Sequence, residues 1–374
     1  MRPGSDPARA RLDAKLLEWM REPASPECWP QDEARFDGLA LELFAFQFER
    51  IAAYRSFCEG RGRTPRTVTT WREIPAVPTA VLKELSLRSF DAGRIAHVFR
   101  TSGTSAAVRG ALELDTLELY EASLEPTFRV HVLADLAPGE RIEMRILAPS
   151  AAAVPDSSLS HMFATLLPRF GTRESGFDLA PDTVDPEALV ASLRGAAERG
   201  RRVAVCGTAF AFVHLVDSLA ARGERIVLAE GSRVMETGGF KGRSREVGRG
   251  ELHAAIEHCL GVPVSRIVNQ YGMTELASQF YDTPLRFPEG PRRKLGPPWA
   301  RVRVVDPVTG DDAREGEHGM IVVVDLANAG GVCALLPADV GRRVGDGFEV
   351  LGRAEGAEAR GCSIAADEIL GGGA

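Results

Sequence analysis

Residues 101–110, TSGTSAAVRG, set the hydroxyls of Thr101, Ser102, Thr104 and Ser105 around Gly103 and Gly110, with one cation, Arg109. Small residues let a backbone come close to a ligand, successive N–H groups form an anion-binding nest, and hydroxyls add donors. Phosphate is the natural guest. The segment is not a P-loop, because Arg109-Gly110 stands where that motif needs a lysine and a hydroxyl. For this segment alone an ordinary surface turn rich in Ser, Thr and Gly is the competing reading.

Three further segments carry groups of the right chemistry. In NQYGMTELASQFYD, a strand-like run enters Tyr271-Gly272, and Thr274 and Glu275 are expected to open a helix whose N-terminus attracts anions. A carboxylate at Glu275 could hold Mg²⁺ bridging phosphate oxygens; a helix cap with a first-turn glutamate is the plainer alternative. In METGGFKGR, Gly238-Gly239 would let a flat ring lie on the backbone, with Lys241 following, and a tight strand-to-helix turn explains the glycines equally well. In LPADVGRRVGDGFEVLGRAEGAEARGCSIA, Asp339 could accept hydrogen bonds from a ribose, and Arg353 closes a second β-rich piece. Cys362 follows Arg360-Gly361, and a neighbouring cation raises a thiol's thiolate fraction. An inert buried thiol is the alternative for an isolated cysteine.

The chain that must position these groups has 374 residues, 44% hydrophobic, with net charge −7. That is ample for a large core. No long basic run marks a nucleic-acid partner. The charged N-terminus lacks the apolar stretch of a signal peptide, and no apolar run reaches the roughly 18 residues of a membrane span. Cytoplasm is the expected location. The six cysteines, Cys28, Cys58, Cys206, Cys259, Cys333 and Cys362, form no CxxC pair, which argues against a zinc site or a disulfide framework. Only four lysines occur, Lys15, Lys83, Lys241 and Lys294, so a mechanism that needs one has few to choose from.

Helical apolar spacing runs from about Pro7 to Arg55, interrupted by PASPECWPQD. β-rich runs then alternate with helical ones: RIEMRILAPS and SSLSHMFATLLPRF, RRVAVCGT and AFAFVHLVDSLAARG, RIVLAEGSRVMETGG and SREVGRGELHAAIEHCLG, then RIVNQYG. That alternation predicts an α/β fold with mostly parallel strands flanked by helices. From Arg301 the pieces become β-rich (RVRVVDPVTGDD, GMIVVVDLAN, GFEVLGR). The expected layout is a helical region over residues 1–70, an α/β core over 71–335, and a short C-terminal segment over 336–374.

In this order the four segments resemble the adenylate-forming superfamily, which joins ATP and a carboxylate into an acyl-adenylate. Thr101 to Gly110 align without a gap on its phosphate loop. Tyr271-Gly272-Met273-Thr274-Glu275 matches its YGxTE motif, Asp339 falls on its ribose-binding aspartate, and Gly352-Arg353 on its GR pair. Within the superfamily the chain is similar to the LuxE-type acyl-protein synthetases, on VPTAVLKEL, PDSSLSHM, TGGFKG, YGMTELASQFYD and GFEVLGRAEGAEARGCS. Phenylacetate-CoA ligases are cousins. Departures are Ala106 in place of a loop glycine and Val108-Arg109 in place of Pro-Lys. Ordinary members also carry about a hundred further residues with a catalytic lysine, whereas here no lysine follows Lys294.

The resemblance implies ATP and Mg²⁺ as cofactors, with a metal-holding role for Glu275, and a fatty or other carboxylic acid as substrate. It implies Cys362 as acyl acceptor and an acyl-protein reductase subunit or carrier protein as partner. The helix Ala209 to Leu219 is the candidate wall of an acyl slot, with His214 lining it or packed in the core. A CoA or carrier-protein ligase, and a binding subunit that has lost catalysis, stay open as alternatives.

Overall fold

The computed structural model describes residues 6–101, 109–181, 185–238, 247–355 and 369. Three helices open the chain: α1 (Pro7–Met20), α2 (Glu33–Arg50) and α3 (Ala52–Gly60). Asp6 and Asp32 cap the first two, their carboxylates accepting from the N–H of Ala8 and Arg35. Such caps meet donors that a helix start leaves unpaired. The proline-rich stretch between them is the break expected from sequence.

Short strands follow: β1 (Val77–Pro78), then β2 (His97–Arg100) and β3 (Ala111–Leu114), which pair as a separate hairpin. The alternating part comprises α4 (Glu118–Val132), β4 (Glu143–Leu147), α5 (Ser158–Phe170), β5 (Gly176–Phe177), α6 (Pro186–Glu198), β6 (Val203–Thr208), α7 (Ala209–Ala221), β7 (Arg233–Thr237), α8 (Arg249–Leu260) and β8 (Ile267–Tyr271). Of RIVLAEGSRVMETGG the strand takes only Arg233–Thr237 among the described residues. The remaining strands are β9 (Phe280–Asp282), β10 (Lys294–Leu295), β11 (Ala300–Val305), β12 (His318–Asp325), β13 (Ala334–Leu336), β14 (Asp339–Val344) and β15 (Gly347–Arg353).

Among the described residues one sheet of 13 strands runs β1-β13-β12-β14-β15-β10-β9-β8-β7-β6-β4-β5, with β11 on β12. The strands β5, β4, β6, β7 and β8 are parallel, and from β9 onward the neighbours along this sheet are antiparallel until β1 rejoins β13 in parallel. The βαβ alternation therefore builds the parallel half, and the β-rich remainder extends the same sheet. Strands β6, β7 and β8 are buried almost throughout, as strands covered on both faces by helices must be. Leu189 and Leu193 of α6, Phe212 and Leu215 of α7 and Ile256 and Leu260 of α8 form one core on one face; the N-terminal helices contribute to the other. No helix among the described residues is long and apolar enough to cross a membrane.

One charged chain crosses the interior where parallel pairing gives way to antiparallel. His253 Nε2 lies 3.1 Å from Glu236 Oε1, which accepts from Asn269 Nδ2 at 2.7 Å. The Asn269 side-chain oxygen accepts from Lys294, whose ammonium also donates to Asp282 Oδ1 at 2.8 Å. Lys294 and Asp282 are cross-strand partners on β10 and β9 and are almost fully buried. Burial, partly offset by Asp282, draws the Lys294 ammonium below its ordinary pKa. Removing one partner of such a pair strands the other charge in the interior. Lys294→Met is therefore expected to lower unfolding stability by about 3 kcal/mol, read as a drop in the urea midpoint; a loss under about 1 kcal/mol would contradict this role for the pair.

Candidate active site

The hairpin β2–β3 fixes both ends of segment 101–110. Its register ends at Arg100 opposite Ala111, and the Thr101 N–H donates to the Gly110 carbonyl at 2.9 Å. Arg109 is committed to this base: Nε donates to the Thr101 carbonyl at 2.6 Å, Nη2 to the Arg100 carbonyl at 3.4 Å, and Nη1 to Asp156 at 2.8 Å. Asp156 is tied back in turn, its carbonyl accepting from the Arg100 N–H. Ser102, Gly103, Thr104 and Ser105, with Ala106 and Val108, lie outside the described residues.

Gly110 sits where three elements meet. A Cβ built on it would lie 3.2 Å from Thr101 Cγ2, 3.5 Å from Glu275 Oε1 and 3.6 Å from Lys83 Cγ. The hydroxyl-rich segment and the acidic residue of the second motif therefore share one corner of the molecule, although 165 positions separate Gly110 from Glu275 in the chain. Thr274 Oγ1, 3.5 Å from the Arg100 carbonyl, touches the same hairpin.

Thr274 and Glu275 do not open a helix, contrary to the expectation from sequence. The chain turns through residues 272–279 and returns as β9, antiparallel to β8, with Tyr271 opposite Phe280. Pairing with β8 and a buried acceptor win over the local capping pattern. Asp325, at the end of β12 and fully buried, accepts from the N–H groups of Ala277 (2.9 Å), Ser278 (2.7 Å) and Ala327 (3.1 Å) and from the Ser278 hydroxyl (2.7 Å). Asn328 Nδ2 donates to the Glu275 carbonyl at 2.8 Å. Gln47 of α2 holds that loop, donating to the Asn328 carbonyl and accepting from the Cys333 N–H. The N-terminal helices thus help to aim Glu275, whose side chain is only 8% exposed.

Beside this corner lie the carboxyl ends of the parallel strands, where open α/β sheets bind ligands. Thr208 ends β6 and caps α7, its hydroxyl accepting from the Ala211 N–H. Gly238 follows β7 with φ +80°, and a Cβ there would meet nothing within 4 Å among the described residues. Gly239 and Lys241 lie outside the described residues. At the end of β8 the Tyr271 hydroxyl donates to Asp339 Oδ2 at 2.9 Å, and Arg353 Nη1 donates to Asp339 Oδ1 at 3.1 Å. Asp339 and Arg353 are register partners, first residue of β14 and last of β15. Burial, reinforced by the Asp339 carboxylate, pushes the Tyr271 phenol well above its ordinary pKa, so it stays a donor.

Of the residues read from sequence, the structure brings Thr101, Arg109, Glu275, Thr274, Gly272, Tyr271, Asp339 and Arg353 to one end of the sheet, with Gly238 on the neighbouring strand. Cys362 lies outside the described residues. Four other thiols, Cys58, Cys206, Cys259 and Cys333, are buried, and burial pushes Cys58, Cys206 and Cys333 up to about 12. On α7 the expected wall residues split: Phe212 and Leu215 are buried in the core, whereas half-buried His214 stacks edge-on against Phe210 at 4.5 Å. Sequence reasoning missed Asp156, Asp325 and Asn328 as positioning groups. Asp156 stands in PDSSLSHM; nothing local marks the other two.

A family model described as acyl-protein synthetase, LuxE, matches residues 178–371, more than half of the chain. The chain is 21% identical over 359 residues to the long-chain-fatty-acid–luciferin-component ligase of Vibrio harveyi, covering 92% of this chain and 91% of that protein. To the protein of the same name from Aliivibrio fischeri it is 23% identical over 329 residues, covering 87% and 83%. Among solved structures, 2-hydroxyisobutyryl-CoA ligase in the postadenylation state with 2-HIB-AMP superposes with TM-score 0.63 at 15% identity, over 87% of this chain and 69% of that one. Its open conformation with 2-HIB-AMP and CoA gives 0.60 at 15% identity, over 86% and 75%. The fold is that of the adenylate-forming ligases. The chain belongs to the LuxE family of acyl-protein synthetases, a family of ligases.

Proposed function

We propose that this protein activates a long-chain fatty acid with ATP and transfers the acyl group to its own Cys362, the thioester then feeding a fatty-acid reductase. The observation that carries this reading is the convergence of Gly110, Glu275, Tyr271, Asp339 and Arg353 on the carboxyl ends of parallel strands. In the first step a carboxylate oxygen attacks the α-phosphorus of ATP, and the bond to the bridging oxygen breaks as pyrophosphate leaves. In the second the Cys362 thiolate attacks the acyl carbonyl, and AMP leaves with the electrons of the broken C–O bond. Sulfur gains the acyl group without oxidation.

The residues divide the work by chemistry. Asp339, held by Tyr271 and Arg353, has its carboxylate fixed for the ribose hydroxyls, while Gly238 gives the base a bare backbone to lie on. Arg353, 73% exposed on its side chain, keeps one guanidinium nitrogen on Asp339 and presents the rest of the fork to the cleft, where it can meet phosphate. Glu275 is a single buried carboxylate at the phosphate corner, and among the described residues no group of three or more His, Cys, Asp and Glu is placed to hold a metal. Glu275 would hold Mg²⁺, a hard cation that takes carboxylate oxygen and needs few ligands from the protein. Mg²⁺, when bound, supplies positive charge to the phosphates.

For the acceptor, a thiol held at about 12 is a poor nucleophile at neutral pH, which disfavours Cys58, Cys206 and Cys333. Cys362 is preceded by Arg360 and stands in the segment GFEVLGRAEGAEARGCS that carries the family resemblance. The names of the two curated relatives support a long-chain acid.

The protein incubated with ATP, Mg²⁺ and radiolabelled tetradecanoic acid should carry label on Cys362 and lose it on treatment with neutral hydroxylamine. Cys362→Ser should retain fatty-acid-dependent ATP–pyrophosphate exchange while label retained after denaturation falls at least tenfold. Label appearing only on added CoA or carrier thiol would replace this reading with a soluble-thiol ligase, and absence of exchange with any acid would leave a binding subunit. Glu275→Gln should reduce the exchange rate by about 10²-fold, the scale for losing one preorganised electrostatic contact; unchanged exchange would remove Glu275 from the mechanism.

A further inference from the structure

Pyrophosphate leaving ATP carries several negative charges, and the hairpin that would hold it needs a cation. By alignment that cation is Arg109, but the structure spends its guanidinium elsewhere. An ion pair to Asp156 at 2.8 Å and hydrogen bonds to the carbonyls of Thr101 and Arg100 hold it across the base of the hairpin. Meeting a phosphate would require breaking those contacts, and with them the brace that keeps Thr101 in place.

Among the described residues, another cation at this corner is Lys83. It ends the short 3₁₀ turn Thr79–Lys83, which follows β1 directly. β1 pairs in parallel with β13, Val77 opposite Leu335 and Pro78 opposite Leu336, so this turn is anchored to the strand that ends three residues before Asp339. The Lys83 stem packs against Gly110: its Cγ and Glu275 Oε1 lie 3.6 and 3.5 Å from the same point, the position a Gly110 Cβ would take. Its ammonium lies three bonds beyond Cγ, the side chain is exposed, and among the described residues it has no ion-pair partner. The remaining lysines are placed otherwise. Lys15 pairs with Glu42 at 2.6 Å on the N-terminal helices, Lys294 is buried against Asp282, and Lys241 lies outside the described residues.

We propose that Lys83 is a catalytic residue: its ammonium binds the β- and γ-phosphates of ATP at the hairpin, across Gly110 from the Glu275 carboxylate, and neutralises the leaving pyrophosphate. Arg109 braces the loop through Asp156. A flexible ammonium is a mobile point charge that can follow pyrophosphate as it departs, whereas a guanidinium fixed by three partners cannot. Gly110 keeps the point where the three side chains meet unfilled, and even a methyl group there would press on Thr101 at 3.2 Å. This inference rests on the proposed ATP-dependent activation.

Calorimetric titration of the full chain with Mg²⁺-ATP, Mg²⁺-pyrophosphate and AMP separates the two claims. Lys83→Met should weaken ATP and pyrophosphate at least tenfold and leave AMP within twofold. Lys83→Arg should restore part of the loss, and the melting temperature should stay unchanged because the side chain is exposed. ATP–pyrophosphate exchange should fall in parallel. A wild-type protein that binds ATP and exchanges pyrophosphate, with Lys83→Met indistinguishable from it, would overturn the assignment of Lys83 alone. Equal losses for AMP and pyrophosphate would overturn it as well, by showing a general disturbance of the site. A wild-type protein that binds neither ATP nor pyrophosphate would overturn the activation reading together with it.

Discussion

The carboxylate of Asp325 fixes the geometry on which the cleft depends. It is fully buried, and burial pushes its pKa up, against the hydrogen bonds from the Ser278 hydroxyl and from the N–H groups of Ser278, Ala327 and Ala277. Those donors are the backbone of the turn that carries Glu275 and of the loop that carries Asn328. A buried carboxylate without donors would be very costly; with four it becomes the common anchor of two chain reversals. The Ser278 hydroxyl also lies 3.2 Å from that of Ser123, which accepts from Trp299 Nε1 at 2.9 Å, so α4 and the entrance to β11 hang on the same chain of polar contacts. Glu275 is held beside the hairpin by the donors that Asp325 and the Glu275 carbonyl gather behind it.

A second buried chain does the same for the side of the cleft that holds Tyr271 and Asp339. Glu236 and Asn269 lie two residues before Gly238 and Tyr271 on adjacent parallel strands, and their side chains bond to each other below the strand ends. His253 on α8 and Lys294 on β10 complete the chain from either side. Apolar replacements of matched volume would give comparable stability. What the polar chain adds is register, because each hydrogen bond is lost if one strand slides past its neighbour. Gly238 and the Tyr271–Asp339–Arg353 triad are thereby held at a fixed separation.

Much of this was legible in the sequence, and what was not fails for a physical reason. The helices α1, α2 and α7 were readable because their apolar residues recur within a few positions along the chain. The segments 101–110 and 271–275 could be singled out because close backbone approach restricts residue type, and the resemblance added Asp339 and Arg353 as candidates beside them. The helix expected at Thr274 did not form: local capping chemistry was right, but pairing of β9 with β8 and the donors claimed by Asp325 override a propensity worth a fraction of a kcal/mol per residue. Asp325, Asn328 and Gln47 could not be read at all. Their partners stand about 50 to 290 positions away, and no periodicity encodes a hydrogen bond of that span.

In the proposed thioester transfer, the same burial that makes the core rigid restricts which thiol can receive the acyl group. A thiol with a pKa of about 12 is thiolate to roughly one part in 10⁵ at pH 7. Lowering that pKa in place would need a cation beside the sulfur, and Arg233, whose charge acts on Cys206, is already bound to Asp135. The apolar packing that stabilises Cys58, Cys206 and Cys333 therefore also silences them. An acceptor thiol must be supplied by chain that the sheet does not enclose, close enough to reach the acyl carbonyl and wet enough to ionise. Stability and reactivity make opposite demands on sulfur here, and the fold meets them by confining its buried cysteines to packing.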